Sequence, residues 1–138
     1  MRYLIWAVVA LLGYTAVPPL VKLATADIPN EVVLIISNGI LLVVGIGIVL
    51  AGDIPVMQYL THDRAIYAYG AGIALTVGIV AYYRALAAGP VSVVVPIFGM
   101  FIATSSILGI AVLDEPLTGR KVAGIGLAVA AIYLTSVE

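Results

Sequence analysis

One stretch of the chain, residues 81–97, reads AYYRALAAGPVSVVVPI. It carries one charged residue, Arg84, in surroundings that are otherwise apolar or small. Gly89 and Pro90 divide the stretch, because glycine suits the end of one helix and proline suits the first position of the next. The stretch therefore predicts two apolar helices that are joined by a tight turn.

The rest of the chain has the same apolar character. Of its 138 residues, 64% are hydrophobic and only 9% are charged, and the mean hydropathy is +1.24. A soluble domain carries about 25% charged residues because its surface faces water, so these values predict an integral membrane protein. The net charge of −1 provides no basic surface for nucleic acid, and the absence of cysteine excludes disulfides and thiolate metal sites.

Five segments are long and apolar enough to cross a bilayer, which takes about 20 residues. We expect the first to stay in place as a span, because it is too long for a signal peptide and lacks a clear cleavage site. The loops are short, so the sequence predicts a single all-α transmembrane domain over residues 1–138, a bundle of about five helices. The predicted spans are residues 3–24, 31–51, 65–88, 91–113 and 119–137.

The basic residues predict how these spans are oriented. Four lie on the side of the N-terminus and two on the other side, a small excess that favours the N-terminus inside. Because the excess is small, insertion in both orientations (dual topology) stays open. The four are Arg2, Arg64, Arg120 and Lys121, and the two are Lys22 and Arg84.

The sequence contains no set of residues typical of catalysis. The single histidine, His62, falls in a predicted loop beside Asp63, where a solvated position fits better than a ligand or a base. All acidic residues fall in loops or at helix ends, and the first span lacks the embedded carboxylate expected of a proton-coupled exporter of the small multidrug type. We therefore expect no enzyme activity, no cofactor and no metal site.

Two basic residues, Lys22 and Arg84, lie inside predicted spans, near helix ends on the same side of the membrane. Ionisable residues inside a membrane are functional candidates by default. In one interpretation, both line the mouth of a cavity and select an anionic group such as a carboxylate. In the other, their long side chains reach the lipid headgroups and the neighbouring tyrosines form an interfacial belt. The sequence leaves both interpretations open.

Other polar residues and prolines complete the predicted transport path. Serine and threonine often bond to carbonyls of their own helix, whereas the amide of Asn38 should face another helix or a polar cavity. Pro18 and Pro96 lie inside spans and are predicted bending points, although structural kinks without function are equally common. The predicted substrate-binding residues are Tyr14, Lys22, Asn38, Tyr82, Arg84 and Ser92.

Residues 82–134, YYRALAAGPVSVVVPIFGMFIATSSILGIAVLDEPLTGRKVAGIGLAVAAIYL, closely resemble the second half of an EamA domain of the drug/metabolite transporter superfamily. The family pattern is an AL…GP-(A/V)-SVV-P junction, then a span, then L-(G)-E-(P/R)-LT and a last span rich in small residues. The first span, which ends in VKLA, is similar to the family's first helix, with its lysine at Lys22. The matching positions are Ala85, Leu86, Gly89, Pro90, Ser92, Val93, Val94, Pro96, Glu115, Leu117, Thr118 and Gly124.

Three features depart from the family pattern. The first span has the order Gly13-Tyr14 where the family has an aromatic residue followed by glycine, and Asp114 replaces a small residue. The pair Pro18-Pro19 is not part of the pattern. These departures leave the substrate open.

The resemblance implies a five-helix repeat, usually present twice in a chain of ten helices, that moves metabolites such as amino acids. Because five is odd, two tandem copies are inverted relative to one another, which is the arrangement used for alternating access. A lone copy rebuilds that arrangement only as an antiparallel homodimer. We therefore expect a homodimeric transporter in the plasma membrane, with a second copy of itself, the lipid bilayer and a small-molecule substrate as its partners.

Two further expectations complete the sequence analysis. Glu115 is expected to hold the loop between the fourth and fifth spans, for example through Arg120, rather than to contact substrate. The alternative to a transporter is a non-transporting accessory membrane subunit, or a half-transporter that needs a heterologous partner.

Overall fold

Helices make up nearly all of the described chain. The structure is a computed structural model, and it describes residues 2–114 and 116–136. Within these residues there are six helices and no strand. The helices are α1 (Arg2–Ala24), α2 (Asn30–Ala51), α3 (Val56–Leu60), α4 (Ala65–Ala88), α5 (Val91–Val112) and α6 (Gly119–Ser136).

Prolines mark the starts of three helices, because proline lacks the N–H that would continue a preceding helix. Pro29 caps α2, and Glu31 follows in the first turn, where a negative charge is favourable. Pro55 caps α3 in the same way. The break between α4 and α5 lies where the sequence predicts it, although Pro90 is the N-cap of α5 (φ −71°, ψ 142°) rather than its first residue.

The all-helical membrane class is confirmed, but the count of five spans is not exact. Within the described residues, four helices are long and apolar enough to cross a membrane: α1 from Tyr3, α2, α4 and α5. The sixth helix, α6, which has 18 residues and includes Arg120 and Lys121, is not in this group. The additional helix is α3, a single short turn of five residues within a segment that the sequence analysis assigned to a loop.

The contacts divide the chain into two compact units, Leu20–Ala87 and the combination of Met1–Pro19 with Ala88–Glu138. In the second unit, α5 and α6 pack against each other, and Ala103 is buried. Small residues on both helices leave a groove of about 500 Å³ between them. Gly109 and Gly124 lie in this groove.

The unit Leu20–Ala87 is packed in one part only. Its buried apolar side chains are Val21 near the end of α1, Val33 near the start of α2, and Tyr82, Tyr83 and Leu86 near the end of α4. Consecutive spans alternate in direction, so these three segments belong to the same end of the membrane. We call this set of five buried residues the packed end.

Candidate functional site

Three polar side chains of the spans lie near the packed end. Lys22, Ser37 and Asn38 are half-buried, whereas Leu86 is completely buried and Tyr83 is only 3% exposed. The polar groups are thus held within an apolar environment, where an unsatisfied donor or acceptor is costly. The hydrogen bonds of these polar groups join the helices at this end of the unit.

Lys22 links α1 to the last turn of α4. Its Nζ atom donates a hydrogen bond of 3.1 Å to the backbone carbonyl of Ala87. The last four carbonyls of a helix have no partner within the helix, and at this point the chain continues into Gly89 and Pro90 instead of a further turn. The ammonium group therefore satisfies a carbonyl that the helix leaves open, and it places a positive charge at the negative end of the α4 dipole.

A pair of hydroxyl groups links α2 to α4. The Ser37 Oγ and Tyr83 Oη atoms lie 2.8 Å apart. Ser37 also lies 2.9 Å from the carbonyl of Val33, to which it donates. A serine hydroxyl has one proton, so Tyr83 is the donor in the interhelical bond and Ser37 is its acceptor.

Asn38 lies beside this pair with its amide partly satisfied. Its Nδ2 atom donates to the carbonyl of Leu34 at 2.9 Å and lies 3.4 Å from Ser37 Oγ. Its Oδ1 atom accepts no hydrogen bond from the described residues. Asn30 Oδ1, at the first residue of α2, is buried and likewise has no partner among the described residues. This end of the unit therefore presents acceptors as well as a cation.

Arg84 and Tyr82 occupy different faces of α4. Tyr82 is buried with Tyr83 and Leu86, whereas Arg84 is exposed. Side chains that are two residues apart on a helix project about 200° from each other. Arg84 therefore points away from the face that Leu86 buries. No hydrogen bond or ion pair joins Arg84 to another described residue. The structure therefore separates two cations that the sequence analysis treated alike, and the predicted role of Arg84 in binding stays a prediction.

The other predicted site residues lie in the second unit. Tyr14 is 70% exposed on α1, and Ser92 is exposed in the first turn of α5. Pro18 is buried within α1, and Pro96 is half-buried within α5. Lys22, Asn38 and Tyr82 lie in the unit Leu20–Ala87, and the roles predicted for all of these residues stay predictions.

Most hydroxyls inside the spans bond to their own helix. Thr15 bonds to Leu11 and Thr76 to Gly72, at 2.7 and 2.8 Å, in the common pattern four residues back. The sequence analysis expects this pattern of serine and threonine in general, and Ser37 does make such a bond, but it also reaches Tyr83. The pair Ser37–Tyr83 is therefore the feature that the sequence analysis missed.

A signal for this pair is present in the sequence. Ser37 adjoins Asn38, the one amide in the middle of a span, and Tyr83 lies three residues before Leu86, on the same helical face.

The expected role of Glu115 falls on a residue outside the described ones. Among the described residues, no group of three or more His, Cys, Asp or Glu side chains is arranged to hold a metal ion.

The fold and these contacts define a multi-pass membrane protein whose helices are joined by polar bonds at one end of a unit. The sequence matches the model of the EamA-like transporter family over residues 1–137. The chain belongs to this family, which confirms the resemblance seen in its second half. No curated protein and no solved structure matches the chain.

Proposed function

We propose that the protein is a transporter of a small metabolite, an amino-acid-like or related organic solute. The observation that carries the proposal is the polar cluster of the packed end, in a chain of the EamA-like transporter family. Lys22, Asn38 and the Ser37–Tyr83 pair place a cation, an amide and two hydroxyls inside apolar spans. Such groups are rare and costly in a membrane and are typical of a substrate path.

In this proposal Lys22 and Asn38 contact the substrate directly. The Lys22 ammonium donates a hydrogen bond to the Ala87 carbonyl. A substrate carboxylate is a stronger partner for the same positive charge. Tyr14, Tyr82, Arg84 and Ser92 complete the proposed binding set. Pro18 and Pro96 act as bending points of α1 and α5.

We further propose that the working unit is an antiparallel homodimer in the plasma membrane, which alternates access between the two sides. The proposal takes α6 as a fifth crossing, so that two copies in opposite orientations form an inverted pair. The small excess of basic residues on one side, four against two, supports insertion in both orientations, with the N-terminus inside slightly favoured.

Counterflow in liposomes tests the transport proposal. Purified dimeric protein is assayed with a panel of amino acids and related organic acids, and we expect exchange of at least one of them. Lys22→Gln should lower that exchange about tenfold, because it removes a charge-assisted contact worth about 1.5 kcal/mol or more. Thr76→Val is the matched control, since it removes an exposed hydroxyl that bonds only to its own helix.

The counterflow result also separates the transporter from the alternative function. Absence of exchange with every solute, from a sample shown to be dimeric, would contradict the transporter proposal. Exchange that appears only when a second membrane protein is supplied would favour a half-transporter with a heterologous partner.

Labelling of the loop between α2 and α4 tests the antiparallel arrangement. The chain has no cysteine, so Gln58→Cys introduces a single exposed thiol on that loop. In an antiparallel dimer, a membrane-impermeant maleimide applied from either side should label about half of the molecules. Labelling from one side only would contradict the proposed dual topology.

A further inference from the structure

We infer that the hydrogen bond between Ser37 and Tyr83 is a gate, which closes the transport path at one end of the membrane and breaks when that end opens. The inference rests on the proposed transport function. It assigns to Tyr83 a role that the sequence analysis did not give it.

The pair lies inside the membrane rather than at its surface. Tyr83 is five residues before the end of α4, a rise of about 7.5 Å, and Ser37 is seven residues after the start of α2, a rise of about 10 Å. Buried apolar residues, Val33 and Leu86, lie between these positions and the helix ends. The hydroxyl pair is therefore the inner layer of a closure whose outer layer is apolar.

Beyond the pair, the same two helices are unpacked. All side chains over residues 40–48 of α2 and 66–78 of α4 are exposed. A glycine row on α4 illustrates this, because a Cβ added at Gly70 or Gly78 meets no neighbouring atom within 4 Å. The unit is thus packed at one end only, which is where a transport path through it would be closed.

The chemistry of the pair suits a contact that must break repeatedly. Both partners are neutral, and Ser37 retains its bond to Val33 when Tyr83 leaves. The Tyr83 hydroxyl then meets water or substrate in the opened path. The buried Asn30 Oδ1, which has no partner among the described residues, also gains access to water on opening. Breaking the pair therefore exchanges one hydrogen bond for another and leaves no hydroxyl unsatisfied.

Lys22 connects this gate to the substrate. In the closed end its ammonium is bonded to the Ala87 carbonyl, which lies one turn beyond Tyr83 on α4. A carboxylate that takes over the ammonium releases that carbonyl and removes this tie between α1 and α4. Binding then favours the open state, because the ligand interacts more strongly with it than with the closed one.

Thiol accessibility at the packed end tests the gate without any transport assay. Val33→Cys, in the cysteine-free chain, introduces one thiol that is buried when the end is closed. Its rate of reaction with a water-soluble maleimide reports the open fraction. We expect Tyr83→Phe to raise this rate about threefold, which corresponds to about 0.6 kcal/mol for an interhelical hydrogen bond in a membrane protein.

Control variants distinguish a gate from a general loosening. Ser37→Ala should raise the rate as Tyr83→Phe does, and the two changes together should add nothing, since they remove the same bond. Ser37→Thr retains a hydroxyl and should restore the slow rate. Thr76→Val, on the same helix as Tyr83, should leave the rate unchanged.

The outcomes separate the gate from the proposed function. Unchanged labelling in Tyr83→Phe, or an equal rise in Thr76→Val, overturns the gate. A threefold rise in the labelling rate, in a protein that exchanges no solute, supports the opening at the packed end and contradicts the proposed transport function. A rise accompanied by faster or less selective exchange supports both.

Discussion

Replacing Lys22 with methionine removes a positive charge but keeps an unbranched side chain of similar length. In the native protein its Nζ atom lies 3.1 Å from the Ala87 carbonyl and joins α1 to α4. The variant leaves this carbonyl without the donor that the lysine supplies. Arg84→Met is the matched control, because Arg84 is exposed on the opposite face of α4 from Leu86.

Two ranges bound the size of the effect. A hydrogen bond to a charged group contributes about 1.5–3 kcal/mol in proteins generally, whereas interhelical polar bonds in membranes average about 0.6 and reach about 1.7 kcal/mol. Lys22 is half-buried, so we take the overlap of the two ranges, about 1.5 kcal/mol. The ratio of folded to unfolded protein should then fall about tenfold in Lys22→Met. Arg84→Met should change the free energy of unfolding by less than about 0.5 kcal/mol.

Unfolding in mixed micelles with an increasing fraction of sodium dodecyl sulfate measures this difference. Val33→Cys serves as the reporter of unfolding in both variants, because Val33 is buried in the same unit as Lys22 and Arg84. Ala103 is also buried, but it lies in the other unit. Equal midpoints for Lys22→Met and Arg84→Met would refute the reasoning. A larger loss in Arg84→Met would show that the exposed guanidinium, and not the ammonium, holds the helices together.

Two other predictions concern packing and bending. Leu86→Ala should lower the free energy of unfolding by about 2 kcal/mol or more, because Leu86 is fully buried; Leu75→Ala, on the exposed part of the same helix, should cost much less in the same micelle titration. Pro96→Ala should slow exchange in liposomes while preserving stability, because it restores the N–H that can bond to the carbonyl of Ser92 and straightens α5. Unaltered exchange in Pro96→Ala would indicate a structural kink.

Features of the chain that depend on local chemistry were predictable from the sequence. The break at Gly89-Pro90 follows from the backbone of two residues, and the helical membrane class follows from the scarcity of charge. The short helix α3 was not predicted, because five residues after Pro55 contain too little periodicity to distinguish a helix from a loop.

Which face of each helix packs was not predictable in the same way. In a soluble protein the apolar stripe marks the buried face, but in this chain nearly every face of α4 is apolar and the stripe disappears. Lys22 and Arg84 therefore had the same rank in the sequence analysis. Only the packing of Leu86 and Tyr83 assigns one cation to a helix contact and leaves the other exposed.

Whether α6 crosses the membrane decides how two tandem copies of this domain would be oriented. With four crossings, two tandem copies have the same orientation, and with five they are inverted by parity; two separate copies form an inverted pair only when they insert in opposite orientations. The 18 residues of α6 span about 27 Å, just short of the hydrocarbon thickness of about 30 Å. Arg120 and Lys121 occupy its first turn, where long basic side chains reach the headgroups and bring the rest of the helix into the membrane. Arg120 and Lys121 are thus suited to anchor α6 as a fifth crossing.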